Sequence, residues 1–196
     1  MKKNIIEFEL INGKGYVKEY NSYNYKLIYE GEYLNGERNG KGKEYYNNGY
    51  LFYEGDYLNG KKNGIGKEYY PNSLTVKFEG EYLNAERNGK GKEYYKNGTL
   101  IFEGEYLNGK RNGKAKEYYD NGQLLFEGEY SNGKRYGKGK EYYDKSKLIF
   151  EGEYKSGKRN GKGKEYNNKG QLIFEGEYLN GKKSGNGNTK EYIEEI

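Results

Sequence analysis

The 196-residue chain has no cysteine, no histidine and no tryptophan, and its only proline is Pro71. Without cysteine there is no thiolate nucleophile, no disulfide and no thiolate zinc site, and without histidine there is no imidazole for acid–base chemistry. These absences argue against an enzyme, and the sequence is read as having no catalytic residues, no cofactor and no metal site. Long apolar runs are missing too. The opening Met1-Lys2-Lys3-Asn4-Ile5-Ile6-Glu7 has two lysines but no uninterrupted apolar stretch, so neither a signal peptide nor a transmembrane helix is expected. No lipidation signal is visible, and a cytoplasmic location is the default expectation.

What the chain does have is one short unit, copied. The tetrad Glu-Gly-Glu/Asp-Tyr begins at Glu30, Glu54, Glu79, Glu103, Glu127, Glu151 and Glu175, at intervals of 24 residues with one of 25. A period of this size marks a repeat array, in which each unit buries its apolar face against its neighbours. Within a unit, Leu100-Ile101-Phe102-Glu103-Gly104-Glu105-Tyr106-Leu107 is followed by Asn108-Gly109 and Lys110-Arg111-Asn112-Gly113. Then come Lys114-Ala115-Lys116-Glu117-Tyr118-Tyr119 and Asp120-Asn121-Gly122. Asn-Gly supplies the positive φ of hairpin turns, and aromatic-rich runs of about six residues between such turns are too short for helices. The expected fold is all-β, an elongated single-layer antiparallel ribbon of tandem β-hairpins.

A side-chain period of two places Leu100, Phe102, Gly104 and Tyr106 on one face, and Ile101, Glu103, Glu105 and Leu107 on the other. The first face is read as core, and its counterparts on the second strand as Gly113, Ala115, Glu117 and Tyr119. Small residues then alternate with rings, which lie over glycine backbone. On the outer side Glu105 is expected opposite Lys116 as a solvated ion pair.

These residues resemble the MORN repeat, the membrane occupation and recognition nexus motif. The likeness rests on Phe102-Glu103-Gly104-Glu105-Tyr106, on Asn108-Gly109-Lys110-Arg111-Asn112-Gly113, and on the following Gly-x-Gly, as in Gly40-Lys41-Gly42, Gly89-Lys90-Gly91 and Gly161-Lys162-Gly163. It covers nearly the whole chain. Where the family usually carries tryptophan, this chain has Tyr33, Tyr57, Tyr82, Tyr106, Tyr130, Tyr154 and Tyr178. It has Glu44, Glu68, Glu93, Glu117, Glu141 and Glu165 where the family often has an aromatic residue. The resemblance implies a scaffold, a dimerisation or docking surface, or a contact with acidic phospholipids. In relatives such arrays stand alone or are fused to catalytic domains.

The organisation is read as one array over residues 1–196: a shortened capping unit at 1–26, regular repeats at 27–181 and a partial unit at 182–196. In the last, Thr189-Lys190-Glu191-Tyr192 reads as a truncated second strand. Around Pro71-Asn72-Ser73 the unit carries one extra residue and lacks the usual glycine, so a wider loop or bulge is expected there.

Three apparent motifs have plainer readings. Gly89-Lys90-Gly91-Lys92-Glu93 lacks the spacing and the following helix of a phosphate-binding loop. Glu103 and Glu105 share a face with lysines and recur seven times, unlike a catalytic carboxylate pair. Most tyrosines fall on the core period, and a net charge of +5 is weak for a nucleic-acid partner.

The surface feature worth pursuing is the first turn of each unit. Lys61-Lys62, Lys110-Arg111, Lys134-Arg135, Lys158-Arg159 and Lys182-Lys183 are expected to line one long edge at about 10 Å intervals, two strand spacings. Glu37-Arg38 and Glu86-Arg87 dilute the row. This edge is the candidate contact for anionic lipid or a protein partner, set against the plain reading that exposed turns favour Lys and Arg for solubility. The functional expectation is a non-catalytic scaffold or protein-interaction module that tethers partners at a membrane or cytoskeletal structure. The alternatives are a peripheral adaptor for acidic phospholipids and a regulatory array for a separate enzyme. A homodimer is expected from exposed strand edges and from the apolar positions Ile101, Leu125, Ile149, Ile173, Leu107 and Leu179.

Overall fold

The structure, a computed structural model, describes residues 5–189. They fall into two compact units, one running up to Gly98 and the other from Thr99. The first holds β1 (Ile5–Ile11), β2 (Lys14–Tyr20), β3 (Leu27–Leu34), β4 (Glu37–Tyr45), β5 (Leu51–Leu58), β6 (Lys61–Tyr69), β7 (Val76–Leu83) and β8 (Glu86–Tyr94). The second holds β9 (Leu100–Leu107), β10 (Lys110–Tyr118), β11 (Leu124–Ser131), β12 (Lys134–Tyr143), β13 (Lys147–Lys155), β14 (Lys158–Tyr166), β15 (Leu172–Leu179) and β16 (Lys182–Thr189). In each unit the strands pair antiparallel in chain order as one open layer, with no helix among the described residues. The expected continuation of β16 through Tyr192 lies outside the described residues.

Two turn types alternate. At the first, Asn108 and Gly109 both have positive φ (49° and 75°), and Leu107 faces Lys110 across a two-residue loop. This is the turn whose twist matches that of the strands. At the second, Gly122 alone is left-handed (φ 81°), its N–H donates to the Tyr119 carbonyl, and the loop holds three residues. The loop after β6 is the wider one expected: Tyr70 and Thr75 close it, with Asn72 at φ 60°. The first hairpin, β1 with β2, pairs without interruption from Ile5↔Tyr20 to Ile11↔Lys14.

The core is a ladder of rings on one face. Tyr29, Tyr53, Phe78, Phe102, Phe126 and Phe150 are fully buried, and the tyrosine four residues further on is nearly so in most copies. Within a unit, a ring meets the tyrosine of its own hairpin and that of the next edge-on: Phe126 lies 5.8 Å from Tyr130 and 5.3 Å from Tyr154, with interplanar angles of 88° and 84°. Such contacts add about 0.5–1.5 kcal/mol each to the area buried. The rings lie on glycine. A Cβ on Gly139 would come within 2.6 Å of the Phe126 ring, and one on Gly163 within 2.7 Å of the Phe150 ring.

Two bulges in each repeat correct the register drawn from a strict period of two. In the β9–β10 hairpin the pairing runs Tyr106↔Arg111 and Glu105↔Asn112, then resumes at Gly104↔Ala115, passing over Gly113 and Lys114. Lys116 therefore faces Glu103 and not Glu105, and Tyr106 faces Arg111 and not Gly113. The second acidic residue of the tetrad serves the bulge. Asp56 and Glu81 each accept a hydrogen bond, at 3.0 Å, from the backbone N–H of Ile65 and Lys90. The other bulge lies between hairpins. Glu117 faces Phe126 but Tyr118 faces Leu124, so Leu125 is the extra residue, and Leu124 shares the outer side with Tyr118. The same skip at Phe52 brings its ring 5.0 Å from Tyr46 and beneath the Lys62 ammonium. Accordingly Ile101, Leu125, Ile149 and Ile173 are half-buried and do not form an exposed strip. Leu107 and Leu179 do stay exposed, at 51% and 58%.

Candidate interaction surface

The first-turn edge is built by the two-residue loops and by the residues that follow them. Its turns are tied to one another through the backbone: the N–H of Gly60 donates to the Arg38 carbonyl, Ala85 to Lys62, Gly133 to Arg111, Gly157 to Arg135 and Gly181 to Arg159, at 2.8–2.9 Å. Donors that a hairpin tip leaves to water are here used to bind each repeat to the one before it.

The structure separates the two halves of every basic pair. Lys61, Lys110, Lys134, Lys158 and Lys182, the first members, are exposed on the edge. The second members turn onto the rings, because their partner across the turn is the core tyrosine: Tyr57↔Lys62, Tyr106↔Arg111, Tyr130↔Arg135, Tyr154↔Arg159 and Tyr178↔Lys183, of which Lys183 stays exposed. The guanidinium carbons of Arg111, Arg135 and Arg159 lie 4.0–4.1 Å from the ring centres of Phe102, Phe126 and Phe150. Lys62 lies 4.0 Å from that of Tyr53, and Lys183 lies 4.4 Å from that of Phe174.

These cations then pair with the glutamates that stand where the family often has an aromatic residue. In the second unit Arg111 pairs with Glu117 at 2.8 Å, Arg135 with Glu117 and with Glu141 at 3.3 Å, and Arg159 with Glu141 and with Glu165 at 2.8 Å. Lys183 also pairs with Glu165. In the first unit Arg38 joins Glu19 and Glu44 at 2.8 Å each, Lys62 pairs with Glu44 at 3.1 Å, and Arg87 pairs with Glu68 at 2.6 Å. Tyrosine hydroxyls complete the set: Tyr33 donates to Glu19, Tyr82 to Glu68 at 2.7 Å and Tyr154 to Glu141 at 2.8 Å. At these three positions tyrosine supplies a hydroxyl that reaches the carboxylate, whereas the hydroxyls of Tyr57, Tyr130 and Tyr178 are buried without a hydrogen-bond partner.

The electrostatics follow from that geometry. Burial pushes the carboxyls of Glu19, Glu68 and Glu141 up, but the guanidinium and hydroxyl donors outweigh it and hold all three below their ordinary 4.5. Burial and the neighbouring Glu19 carboxylate raise the Tyr33 phenol to about 12. Among the described residues no cluster of acidic side chains is disposed to hold a metal ion.

The outer face carries a second, looser lattice. Lys116 stands opposite Glu103 on one side and Glu127 on the other, and Tyr118 donates to Glu103 at 2.6 Å, as Tyr45 does to Glu30 and Tyr142 to Glu127. Near the second turns, Tyr46, Tyr70 and Tyr119 donate to the carbonyls of Tyr69, Tyr94 and Tyr142 in the following repeat.

Open layers of similar hairpins, laced at their turns and cored by a ring and ion-pair ladder, define a tandem β-hairpin repeat protein. The sequence matches the MORN repeat at residues 29–49, 53–75, 78–100, 126–146, 150–171 and 174–188, and a MORN repeat variant at 111–132; the chain belongs to the MORN-repeat family. No curated protein matches the chain as a relative. MORN repeats are in general protein- or membrane-interaction modules.

Proposed function

We propose that the chain is a non-catalytic scaffold, a protein-interaction module that tethers partners in the cytoplasm at a membrane or cytoskeletal structure. The observation that carries this reading is that the same kind of cation–glutamate pair recurs on the buried face in hairpin after hairpin. Glu117, Glu141 and Glu165 each hold two cations. A catalytic group would occur once, in a setting of its own. Functional variety is then left to the exposed positions, among them the sites for a protein partner, a separate enzyme regulated by the array, or a second copy of the chain.

A second reading, a peripheral adaptor for acidic phospholipids, draws on one feature of the second unit. Its turn edge presents Lys110, Lys134, Lys158 and Lys182 without ion pairs to the described residues, and Lys155 stands directly opposite Lys158. Like charges placed face to face favour an anionic surface, at about 1 kcal/mol per basic residue near it. The inward residues Arg111, Arg135 and Arg159 supply the ladder beneath that edge.

The two readings separate in one experiment. Purified full-length chain is tested for sedimentation with phosphatidylserine-containing vesicles and, in parallel, for capture of partners by crosslinking and mass spectrometry. Charge reversal at Lys110, Lys134, Lys158 and Lys182 abolishes sedimentation if the edge binds lipid. Absence of sedimentation at low salt removes the lipid reading, and absence of any specific captured protein removes the scaffold reading.

A further inference from the structure

Asn12, Asn35, Asn59, Asn132 and Asn180 each precede the glycine of a two-residue turn, all exposed and all left-handed, with φ between 48° and 52°. What differs among them is the glycine nitrogen. Gly60, Gly133 and Gly181 donate to the carbonyls of Arg38, Arg111 and Arg159 at 2.9 Å, whereas Gly13 and Gly36 donate to nothing among the described residues. The first hairpin explains the difference. β1 and β2 pair without a bulge, and the place that Arg38, Arg111 and Arg159 fill in later strands is Gly15 in β2. The tie between these two turns moves over by one residue: Asn35, and not Gly36, donates its N–H to the preceding turn, to the Gly13 carbonyl at 2.7 Å. Gly13 has no earlier turn to reach among the described residues, since β1 is the first strand of the sheet order.

A free glycine nitrogen beside an asparagine is a nucleophile next to an electrophile. Having lost its proton to hydroxide, the nitrogen attacks the asparagine Cγ; the new C–N bond closes a succinimide ring as the Cγ–Nδ2 bond breaks and the side-chain nitrogen leaves as ammonia. Water then adds to either ring carbonyl and opens the ring to aspartate or to isoaspartate, whose backbone runs through the β-carbon. Glycine suits this step because, without a Cβ, its nitrogen is unhindered and its peptide turns readily. A hydrogen bond from that nitrogen opposes it twice, by holding the proton and by fixing the peptide plane. The other Asn-Gly pairs are held as well. Gly49, Gly98 and Gly122 donate to carbonyls inside the second turns at 2.8–2.9 Å, and bulge asparagines such as Asn39 and Asn63 are half-buried in the strands.

We propose that Asn12 and Asn35 are modification sites at which the chain deamidates spontaneously, and that the lacing of later turns protects their asparagines. The product is a carboxylate, in part on an isoaspartate, at each of the first two turns. The charge of the first unit's turn edge thereby grows more negative with age and without an enzyme, while the asparagines beside Lys134 and Lys182 keep the second unit's turns basic. This goes beyond the interaction reading and does not depend on which partner that edge meets.

The full-length chain is incubated at mildly alkaline pH, and each asparagine is followed by peptide mass spectrometry. Asn12 and Asn35 are expected to deamidate about threefold or more faster than Asn59, Asn132 and Asn180, the difference that one backbone hydrogen bond makes to the open population. In urea, where every Asn-Gly pair is free, the gap is expected to close. Equal rates in the folded chain overturn the proposal, and so does a gap that persists in urea, which would assign it to neighbouring sequence. Hydrogen exchange reads the cause separately: the Gly13 and Gly36 amides exchange ahead of those of Gly60, Gly133 and Gly181, and the reverse order overturns the proposal. Asn12→Gly/Asn35→Gly, which the positive φ accepts, is expected to lose the fast phase of acidic charge variants while circular dichroism stays that of the wild type; a fast phase that survives also overturns it.

Discussion

Arg135 lies over Phe126, its guanidinium carbon 4.0 Å from the ring centre, and its guanidinium joins Glu117 of the preceding hairpin to Glu141 of its own. One side chain thus combines a cation–π contact, two ion pairs and the link between successive repeats. Its exposure is only 20%, so water screens these contacts weakly.

Removing it tests the ladder. Arg135→Met keeps the stem over the ring but leaves two half-buried carboxylates short of a partner, and the expected loss is about 2–4 kcal/mol in chemical denaturation. Arg135→Lys is expected to cost less, about 1 kcal/mol, because Lys62 and Lys183 occupy the same place over their rings. Lys134→Ala, one residue away on the exposed edge, stays within about 0.5 kcal/mol. Equal losses at 134 and 135 would show that the inward cation has no structural part.

Tyr53 is a natural flaw in the same ladder. Its ring is fully buried, but its hydroxyl has no hydrogen-bond partner, whereas later repeats carry phenylalanine at this position. An unsatisfied buried hydroxyl costs about 1–3 kcal/mol. Tyr53→Phe should therefore raise stability by about 1 kcal/mol, read as a higher denaturation midpoint at unchanged slope.

Ala85 is the other local exception. It occupies the second turn position at φ 72°, where the remaining first turns have glycine. A left-handed residue with a Cβ costs about 1–2 kcal/mol, partly offset by the flexibility glycine adds to the unfolded chain. Ala85→Gly is expected to stabilise the chain by about 0.5–1 kcal/mol in thermal unfolding.

The pH dependence has a defined sign. Glu19, Glu68 and Glu141 titrate lower when folded than their ordinary 4.5. Their contribution is complete above that value and is lost as pH falls through the depressed folded values. Glu141→Gln should flatten the acid limb of a stability–pH curve. At the other end, Tyr33 titrates near 12 in place of 10, so its contribution is present below pH 10 and disappears as pH climbs towards 12.

The hairpins, the turns and the buried Phe102 and Tyr106 were legible because alternation and Asn-Gly spacing report strand geometry directly. The bulges were not. Gly113 and Lys114 keep the side-chain alternation while shifting the pairing by two, so nothing in the one-dimensional pattern marks them. Carried on without that shift, the register of the two-residue turn would put Lys116 opposite Ile101; the bulge sets it opposite Glu103. The inward turn of Arg111, Arg135 and Arg159 was recoverable in principle. Across a two-residue turn, residue 111 must face residue 106, a known core position. The Glu117 position was hidden for another reason: a carboxylate is an unexpected core residue until its two cations, Arg111 and Arg135, are placed around it.

The alternation of turn types gives the two borders of each unit different tolerance to lengthening. At the laced two-residue turns the glycine or alanine N–H is committed to the repeat before it, so an inserted residue would sever one repeat from the next as well as open the loop. At the three-residue turns the glycine N–H closes within its own loop, and the stretch at Pro71 already holds an extra residue with Tyr70 and Thr75 still joined. Epitope tags, reporter loops and natural insertions therefore belong at that second border, and a family of such arrays can diversify along one side while the other keeps its length.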